Sequence, residues 1–454
     1  MAYLVVQLLR AFTRSGQAKS ITDNTGMLTA EIQKKVSARL LLVCAVAATV
    51  GLSMAWISIG KFALFVFGSA FLAWQYFIAN PPKNHRNSAA PHYTARAILL
   101  ALIAFSVSLL WTTADTADSV GSIAKYGKLL TIVLIPLLLR SRQEVVCAIT
   151  VFVAAQLFLV SSSWLLFFGV HLPWATSQMA TREFAVFSTY LDQGVMSATT
   201  AAICWHLRCL APGKWGRLVF SATALLCMSN VLFVLIGRSG HVVAIVLLSL
   251  AVMWELPKRY RWAVLVVPII LLAGALTLSP KVQKRAMLMK SEIQTFSFDQ
   301  GVDVKSTSSS GLRLHFWHRS IQSIAQSPLM GSGVGSWSNE YDRIEKIHKP
   351  VNIEVNKRGN PHQEYLLWGV QLGVPGVLLF LSFLVAVFRD TMGAEKASSH
   401  AAQSVLVALA VACLFNSSIY DALIGDFFCV ALGLMLALTP YRAKPTPDSK
   451  ALPP

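Results

Sequence analysis

The stretch Gly359–Leu366, with the sequence GNPHQEYL, separates two very different parts of the chain. Before it lies the polar segment Pro280–Pro361, and after it begins a long apolar run. The side-chain oxygen of Asn360 suits a helix N-cap, and Pro361 suits the first helical position. We therefore predict that a membrane helix begins here, with His362 in its first turn at the watery end.

The composition indicates a polytopic membrane protein. Of the 454 residues, 55% are hydrophobic and only 13% are charged, whereas a soluble domain carries about 25% charged residues. The net charge of +18 is better explained by basic cytoplasmic loops than by nucleic acid, because no basic helix with interleaved aromatic residues occurs. The seven cysteines lie in or beside apolar runs without metal-ligand spacing, so neither a disulfide nor a metal site is predicted.

Apolar runs that approach the length needed to cross a bilayer, about 20 residues, recur along the chain. We predict an all-α fold with about twelve transmembrane helices, at 40–60, 62–80, 97–113, 121–139, 144–168, 192–211, 217–236, 239–256, 261–279, 363–387, 399–418 and 422–440. The predicted organisation is a cytoplasmic segment 1–39, nine spans within 40–279, a large loop 280–361, three spans within 362–440 and a disordered cytoplasmic tail 441–454.

Lysine and arginine set the orientation. With the N-terminus in the cytoplasm, the inner ends and tails hold 22 of the 39 basic residues, the short outer connections hold five, and the long loop holds twelve. The positive-inside rule then places both termini in the cytoplasm. The connection 169–191, the turn Gly237–Gly240 and the large loop are all predicted on the outer face.

The large loop is predicted to be helical in part. One helix is expected from Gly311 to about Gln326, where Pro328 follows, and another over Trp337–Lys349. The stretch Gly331–Gly335 has glycines like those of a phosphate loop. It follows no strand and lacks the Lys-Ser/Thr ending, so we interpret it as a flexible turn.

His362 is the candidate general base. The positive end of a helix dipole disfavours a second positive charge, and a general base must be neutral. The alternative is that this histidine only caps or packs. Glu364, two residues further on, is interpreted as a group that orients a partner. Three other histidines are interpreted as surface side chains: His315, His318 and His348.

Arg238 and Arg313 are the candidate phosphate-binding residues, because a guanidinium fork matches phosphate oxygens. Gly237 and Gly240 flank Arg238, and absent side chains allow close backbone approach to a ligand. The alternatives are lipid headgroups for Arg238 and a surface ion pair for Arg313. Trp317 follows Arg313 by four residues and shares its helix face.

Three further basic residues are secondary candidates. Arg182 stands beside Glu183, so a local ion pair and ligand binding are both open. Lys125 and Lys128 lie near the outer end of the fourth predicted span, where they anchor the interface or meet a lipid diphosphate. The large loop contains neither Asp-x-Asp nor a Cys/His cluster, so metal-assisted chemistry is disfavoured.

Four stretches in order resemble successive motifs of the bacterial O-antigen ligase and polymerase superfamily. They are Gly237–Gly240 (GRSG), Gly311–Trp317 (GLRLHFW), Pro328–Gly335 (PLMGSGVG) and Asn360–Leu366 (NPHQEYL). One departure is Gln363, where many relatives have asparagine. The resemblance covers roughly 191–380 by motif and the whole chain by topology.

The resemblance implies a GT-C-like helical fold in the bacterial inner membrane, with its active site on the periplasmic face. We expect a monomer. It implies an undecaprenyl-diphosphate-linked glycan donor, a lipid A-core acceptor, and no cofactor or metal. Arg238 and Arg313, with Arg182, would hold the diphosphate, and His362 would take or position the acceptor proton. The secondary candidates are Lys125, Lys128, Gln363, Glu364 and Trp317.

Three other functions remain open. A polymerase would extend the O-antigen chain, and a protein O-oligosaccharyltransferase would use serine or threonine as acceptor. The single large outer loop favours the ligase. A transporter would place ionisable groups at mid-membrane, and Asp421 and Asp426 are the most transporter-like residues.

Overall fold

The computed structural model describes residues 37–77, 91–211, 213–262, 309–348 and 359–440, with isolated helical positions between 266 and 291. Its α-helices are α1 (Ala38–Thr49), α2 (Met54–Ala63), α3 (Ser69–Phe77), α4 (His92–Val107), α5 (Thr116–Gly127), α6 (Thr131–Leu138), α7 (Arg142–Phe167), α8 (Ala180–Glu183), α9 (Tyr190–Leu207), α10 (Gly213–Ser229), α11 (Arg238–Glu255), α12 (Ser309–Gln326), α13 (Trp337–His348), α14 (Glu364–Thr391), α15 (Lys396–Phe415) and α16 (Ala422–Leu438). No β-strand occurs within these residues.

Eight stretches of the described chain are helical, long and apolar enough to cross a membrane. They are Met54–Trp74, His92–Leu110, Thr116–Leu138, Arg142–Phe167, Gly213–Val234, Arg238–Glu255, Glu364–Thr391 and Lys396–Phe415. The helices α1 and α16 are apolar but shorter. The predicted all-α, multi-pass character is therefore confirmed. The total of twelve stays a prediction, because most of the run 261–279 lies outside the described residues.

The predicted boundary between the first two spans is wrong. The chain turns before Ser53, which caps α2, so Lys61 lies inside a membrane-spanning stretch and not in an outer connection. The Lys61 ammonium lies 2.7 and 2.8 Å from the two carboxylate oxygens of Asp426, which is 2% exposed. A charge within a membrane domain is stabilised by such a partner. Asp426 therefore neutralises Lys61.

Helix α9 lies at the centre of the bundle, with 14 of its 18 residues buried and α10, α11 and α15 packed around it. A Cβ on Gly240 would lie 2.9 Å from the Gly194 Cα, and one on Gly237 would lie 3.1 Å from the Tyr190 carbonyl oxygen. Small residues allow such close helix crossings in membranes. The glycines around Arg238 thus serve packing against α9, which corrects the prediction that they admit a ligand.

Helix α14 is broken in its middle. Gly373 has φ 70° and ψ −161°, and Pro375 follows. Backbone groups inside a membrane need partners, and the loop supplies three hydrogen bonds here. They run from Ser332 N to Val370 O at 2.8 Å, from Gly333 N to Gln371 O at 2.9 Å and from Val374 N to Pro328 O at 2.7 Å.

The glycine-rich stretch that fills this break is packed, so its interpretation as a flexible turn is wrong. A Cβ on Gly331 would lie 2.5 Å from the Gly373 nitrogen, and one on Gly333 would lie 2.3 Å from the Thr112 Cα. The positive φ values of Gly331, Gly333 and Gly335 suit glycine. This segment joins the loop helices α12 and α13 to the membrane helix α14.

Helices α12 and α13 are held together by a buried ionic cluster, which we call the loop brace: His315, Arg319 and Glu345. His315 Nε2 lies 2.7 Å and Arg319 Nε lies 2.5 Å from Glu345 Oε1. Burial alone would raise the pKa of Glu345, but the hydrogen bonds from His315 and Arg319 lower it to about 2. His315 is fully buried, so its interpretation as a surface side chain is wrong. The His348 side chain lies outside the described residues.

Candidate active site

Helix α14 begins later than the sequence predicted. It starts at Glu364, and the side chain of Gln363 caps it by accepting a hydrogen bond from the Leu366 N–H at 3.0 Å. The predicted roles of Asn360 as cap and Pro361 as first helical residue are therefore wrong. Gln363, a secondary candidate for catalysis, has a structural role at the helix start.

His362 precedes the helix in a left-handed conformation with φ 54°. Such a conformation costs a non-glycine residue about 1–2 kcal/mol, so local contacts must hold it. The His362 N–H donates to Asn360 Oδ1 at 2.9 Å, which is the hydrogen bond of an Asx turn. The imidazole thus stands before the helix, and the predicted position in its first turn is wrong.

A second segment, residues 416–421, holds His362 from the other side. We call it the α15–α16 turn. Its Asn416 Oδ1 lies 3.2 Å from His362 Nδ1, and its Asp421 Oδ1 accepts a hydrogen bond from Asn360 Nδ2 at 2.8 Å. The ring of Phe316, on α12, stacks on the imidazole with centroids 6.2 Å apart. Three separate parts of the chain therefore fix this half-buried side chain.

Glu364 anchors the α15–α16 turn. Its carboxylate is fully buried and accepts hydrogen bonds from the backbone N–H groups of Ile419 at 3.0 Å and Tyr420 at 3.1 Å, and from Trp368 Nε1 at 2.9 Å. Its predicted role as a group that orients a partner stays a prediction. What it holds is the backbone beside Asn416 and Asp421.

Both lysine candidates lie against the same turn. Lys128 is 4% exposed, and its ammonium donates to the Asp421 carbonyl oxygen at 2.6 Å. Lys125 is exposed and stands 3.9 Å from the ring centroid of Tyr420. Burial raises the pKa of the Asp421 side chain, which His362 and Lys128 partly oppose. Lys128 therefore stabilises the turn from within, and neither predicted role describes it.

Arg238 and Arg313 interact electrostatically. Arg238 is the exposed first residue of α11, and Arg313 is half-buried on α12. Burial lowers the pKa of Arg313, Tyr190 opposes this, and the positive charge of Arg238 adds to the lowering. Two guanidinium groups near enough to repel each other favour a bound anion between them.

Phe316 links the arginines to the histidine. It follows Arg313 by three residues and so lies on the same face of α12, and its ring contacts His362. Arg238, Arg313 and His362, predicted from distant parts of the sequence, therefore share one region. We call it the mouth.

The other candidates are placed less directly. Arg182 is exposed on α8, which packs against α7, and no hydrogen bond or ion pair joins it to the mouth among the described residues. Trp317 is half-buried against the core, and its indole Nε1 has no hydrogen-bond partner in the part of the chain that the structure describes.

Sequence reasoning missed Asn416 as a site residue and Phe316 as the link between Arg313 and His362. Asn416 was predicted inside the span 399–418, whereas α15 ends at Phe415. The signal that was available is the polar run Asn416–Ser418 between two apolar stretches, close to Asp421.

Together these features define a multi-pass helical membrane protein with an arginine pair and a histidine at one mouth. Residues 223–381 match the family model described as O-Antigen ligase. This stretch runs from α10 into α14 and contains Arg238, Arg313 and His362. The superfamily predicted from the four motifs is confirmed over this stretch, and it indicates a glycosyltransferase-like ligase or polymerase. No curated protein matches the chain.

Proposed function

We propose that this protein is an O-antigen ligase. It transfers O-antigen polysaccharide from undecaprenyl diphosphate to a sugar hydroxyl of lipid A-core, as a metal-independent, GT-C-like monomer with its site on the periplasmic face of the inner membrane. The observation that supports this most is the mouth itself. Two arginines interact electrostatically, and one of them lies three residues from the aromatic ring that stacks with His362, within the segment that matches the family model.

The arginine pair suits the donor. Arg238 and Arg313 would hold the diphosphate through their guanidinium forks and stabilise the negative charge that develops on the leaving group. Because Arg238 is exposed, a lipid-linked substrate can reach its guanidinium group. Arg182 stays a more distant candidate for the same diphosphate.

His362 suits the acceptor. In the transfer, the acceptor hydroxyl oxygen forms a bond to the anomeric carbon of the donor sugar. The bond from that carbon to the diphosphate oxygen breaks, and the lipid diphosphate leaves with the electron pair. The hydroxyl proton passes to His362 as general base. No oxidant, reductant or further reactant is needed.

Complementation of a ligase-deficient strain tests the proposal. Wild type is compared with Arg238→Ala, Arg313→Ala and His362→Ala, with surface lipopolysaccharide read on a gel and protein amounts by immunoblot. Arg259→Ala is the matched control, because this exposed arginine follows α11 at the end opposite to Arg238.

We expect wild type and the control to restore the long-chain ladder, and the three mouth variants to be expressed but silent. Wild type that fails to restore the ladder, or that instead changes chain length on an already capped core, contradicts a ligase and in the second case favours a polymerase. A full ladder from normally expressed mouth variants contradicts the site.

A further inference from the structure

We propose that Asn416 is a positioning residue that sets the tautomer of His362 and leaves Nε2 as the proton-accepting atom. The observation is the 3.2 Å contact between His362 Nδ1 and Asn416 Oδ1. An amide oxygen only accepts hydrogen bonds, so Nδ1 carries the hydrogen in this contact. The catalytic consequence of this tautomer rests on the proposed function. Asn416 itself lies outside the segment 223–381 that matches the family model.

The tautomer decides which atom does the chemistry. A neutral imidazole has one N–H and one lone pair, so a hydrogen on Nδ1 leaves the lone pair on Nε2. A ring free to rotate would expose either atom. Here the hydrogen bond to the amide of Asn416 favours one orientation of the imidazole, which lies beside the ring of Phe316.

Asn416 is itself held in place. The turn that it begins is fixed by the buried carboxylate of Glu364, which binds the N–H groups of Ile419 and Tyr420. The Tyr420 hydroxyl lies 2.9 Å from Ser122 Oγ on α5. The amide therefore presents its oxygen from a fixed backbone, as groups that orient a functional histidine do.

The same geometry suits the charged state that follows proton transfer. The proton from the acceptor hydroxyl bonds to Nε2, so the imidazolium has hydrogens on both nitrogens. Asn416 Oδ1 keeps its hydrogen bond to Nδ1–H throughout. The electrostatic interaction of His362 with Asp421 also favours the new positive charge. Release of the proton from Nε2 to water restores the starting tautomer.

Two substitutions separate orientation from mere packing. Asn416→Asp keeps an acceptor oxygen but loses the amide donor, and Asn416→Leu keeps the size but loses both. Purified protein in detergent is assayed with undecaprenyl-diphosphate-linked O-antigen and lipid A-core from a ligase-deficient strain. Asn230→Leu is the matched control, because it likewise removes a buried amide, one that donates to Ser163 on α7.

We expect Asn416→Asp to keep kcat within about threefold of wild type. Asn416→Leu should lower kcat by about 10–100-fold, as loss of an orienting partner does, with the donor KM nearly unchanged. Equal loss in Asp and Leu variants means that the amide donates to Nδ1 or only packs, and it overturns the proposal. A folded Asn416→Leu variant with full activity also overturns the proposal. The same holds if Asn416→Leu changes only KM and leaves kcat unchanged.

A second measurement does not depend on turnover. Nitrogen NMR of protein labelled in histidine distinguishes the two neutral tautomers, and the His362 signals are assigned by their absence in His362→Ala. A hydrogen on Nε2 in wild type overturns the tautomer assignment even if the protein is an active ligase. If wild type shows no ligase activity, the proposed function is overturned, but the tautomer assignment still stands.

Discussion

Two histidines near the mouth, His315 and His362, have opposite surroundings. His315 is fully buried and contacts a carboxylate that it shares with Arg319. His362 is half-buried and contacts the neutral amide of Asn416. A carboxylate shared with an arginine holds a side chain in a fixed ionic cluster, whereas an amide orients an imidazole without adding charge. The partner thus distinguishes a brace from a candidate base.

The sharpest test of this comparison replaces each histidine. His362→Ala should lower transfer by about 10²–10⁴-fold, the usual contribution of general base catalysis, and leave thermal stability nearly unchanged. His315→Ala should lower thermal stability and spare the rate per folded molecule, because it weakens the loop brace. Steady-state transfer and thermal unfolding in detergent measure both. Equal losses of kcat in the two folded variants would contradict the distinction between His362 as candidate base and His315 as part of the loop brace.

The carboxylate of the loop brace is the next test. Glu345→Leu leaves His315 and Arg319 without their shared partner, and breaking a buried ion pair in this way costs about 3–5 kcal/mol. The control is Glu255→Leu, which removes an exposed partner of Arg208 and should cost less than about 1 kcal/mol. Thermal unfolding of both variants gives the difference. A brace that contributes nothing predicts the same small shift in each.

Acid should weaken the loop brace by protonating Glu345, without involving the residues of the mouth. Because the folded-state pKa of Glu345 is lowered from 4.5 to about 2, its contribution is complete above pH 4.5 and is lost as the pH falls toward 2. Brief pepsin digestion of wild type between pH 4.5 and 2, with cleavage sites mapped by mass spectrometry, should show increasing cutting of α12 and α13. Glu345→Gln should be cut already at pH 4.5 and change little below it.

The smallest expected effect concerns the arginine side of the mouth. Gly240→Ala places a Cβ 2.9 Å from the Gly194 Cα and should destabilise the protein by about 1–3 kcal/mol through overpacking. It should also raise the donor KM, since Arg238 lies at the same end of α11. Gly121→Ala is the control, because nothing lies within 4 Å of its Cβ position. Indistinguishable variants would mean that the α9–α11 contact does not place Arg238.

Hydropathy predicted most of the long membrane helices, with ends a few residues from those observed. The fifth and tenth predicted spans, 144–168 and 363–387, correspond to Arg142–Phe167 and Glu364–Thr391. These helices are set by long apolar runs, which a sequence displays directly. The local boundary at His362 was less accessible, because Asn360 and Gln363 are both able to act as caps and only the folded backbone selects between them.

Residues whose partners are distant in sequence were misjudged. His315 resembles a surface loop histidine until Glu345, thirty residues later, is placed against it. The stretch 331–335 resembles a flexible turn because the acceptors of its Ser332 and Gly333 N–H groups, the carbonyl oxygens of Val370 and Gln371, lie far along the chain at the break in α14. Asn416 was hidden because a hydropathy window averages the short polar run Asn416–Ser418 with the apolar residues on both sides. The grouping of Arg238, Arg313 and His362 rested on motif order and the predicted topology.

The backbone hydrogen bonds between the glycine-rich segment and broken helix α14 have a mechanical consequence. These hydrogen bonds connect the segment that follows α12 to the middle of α14. We therefore expect α12 and α14 to move as one rigid unit, and α12 not to open like a lid. Lifting α12 to admit a bulky lipid-linked glycan would expose unsatisfied backbone groups, which is costly in a membrane. We therefore expect the donor to enter from the side of the helix bundle, past the exposed Arg238 at the start of α11. This route would leave the hydrogen bonds between the glycine-rich segment and α14 intact.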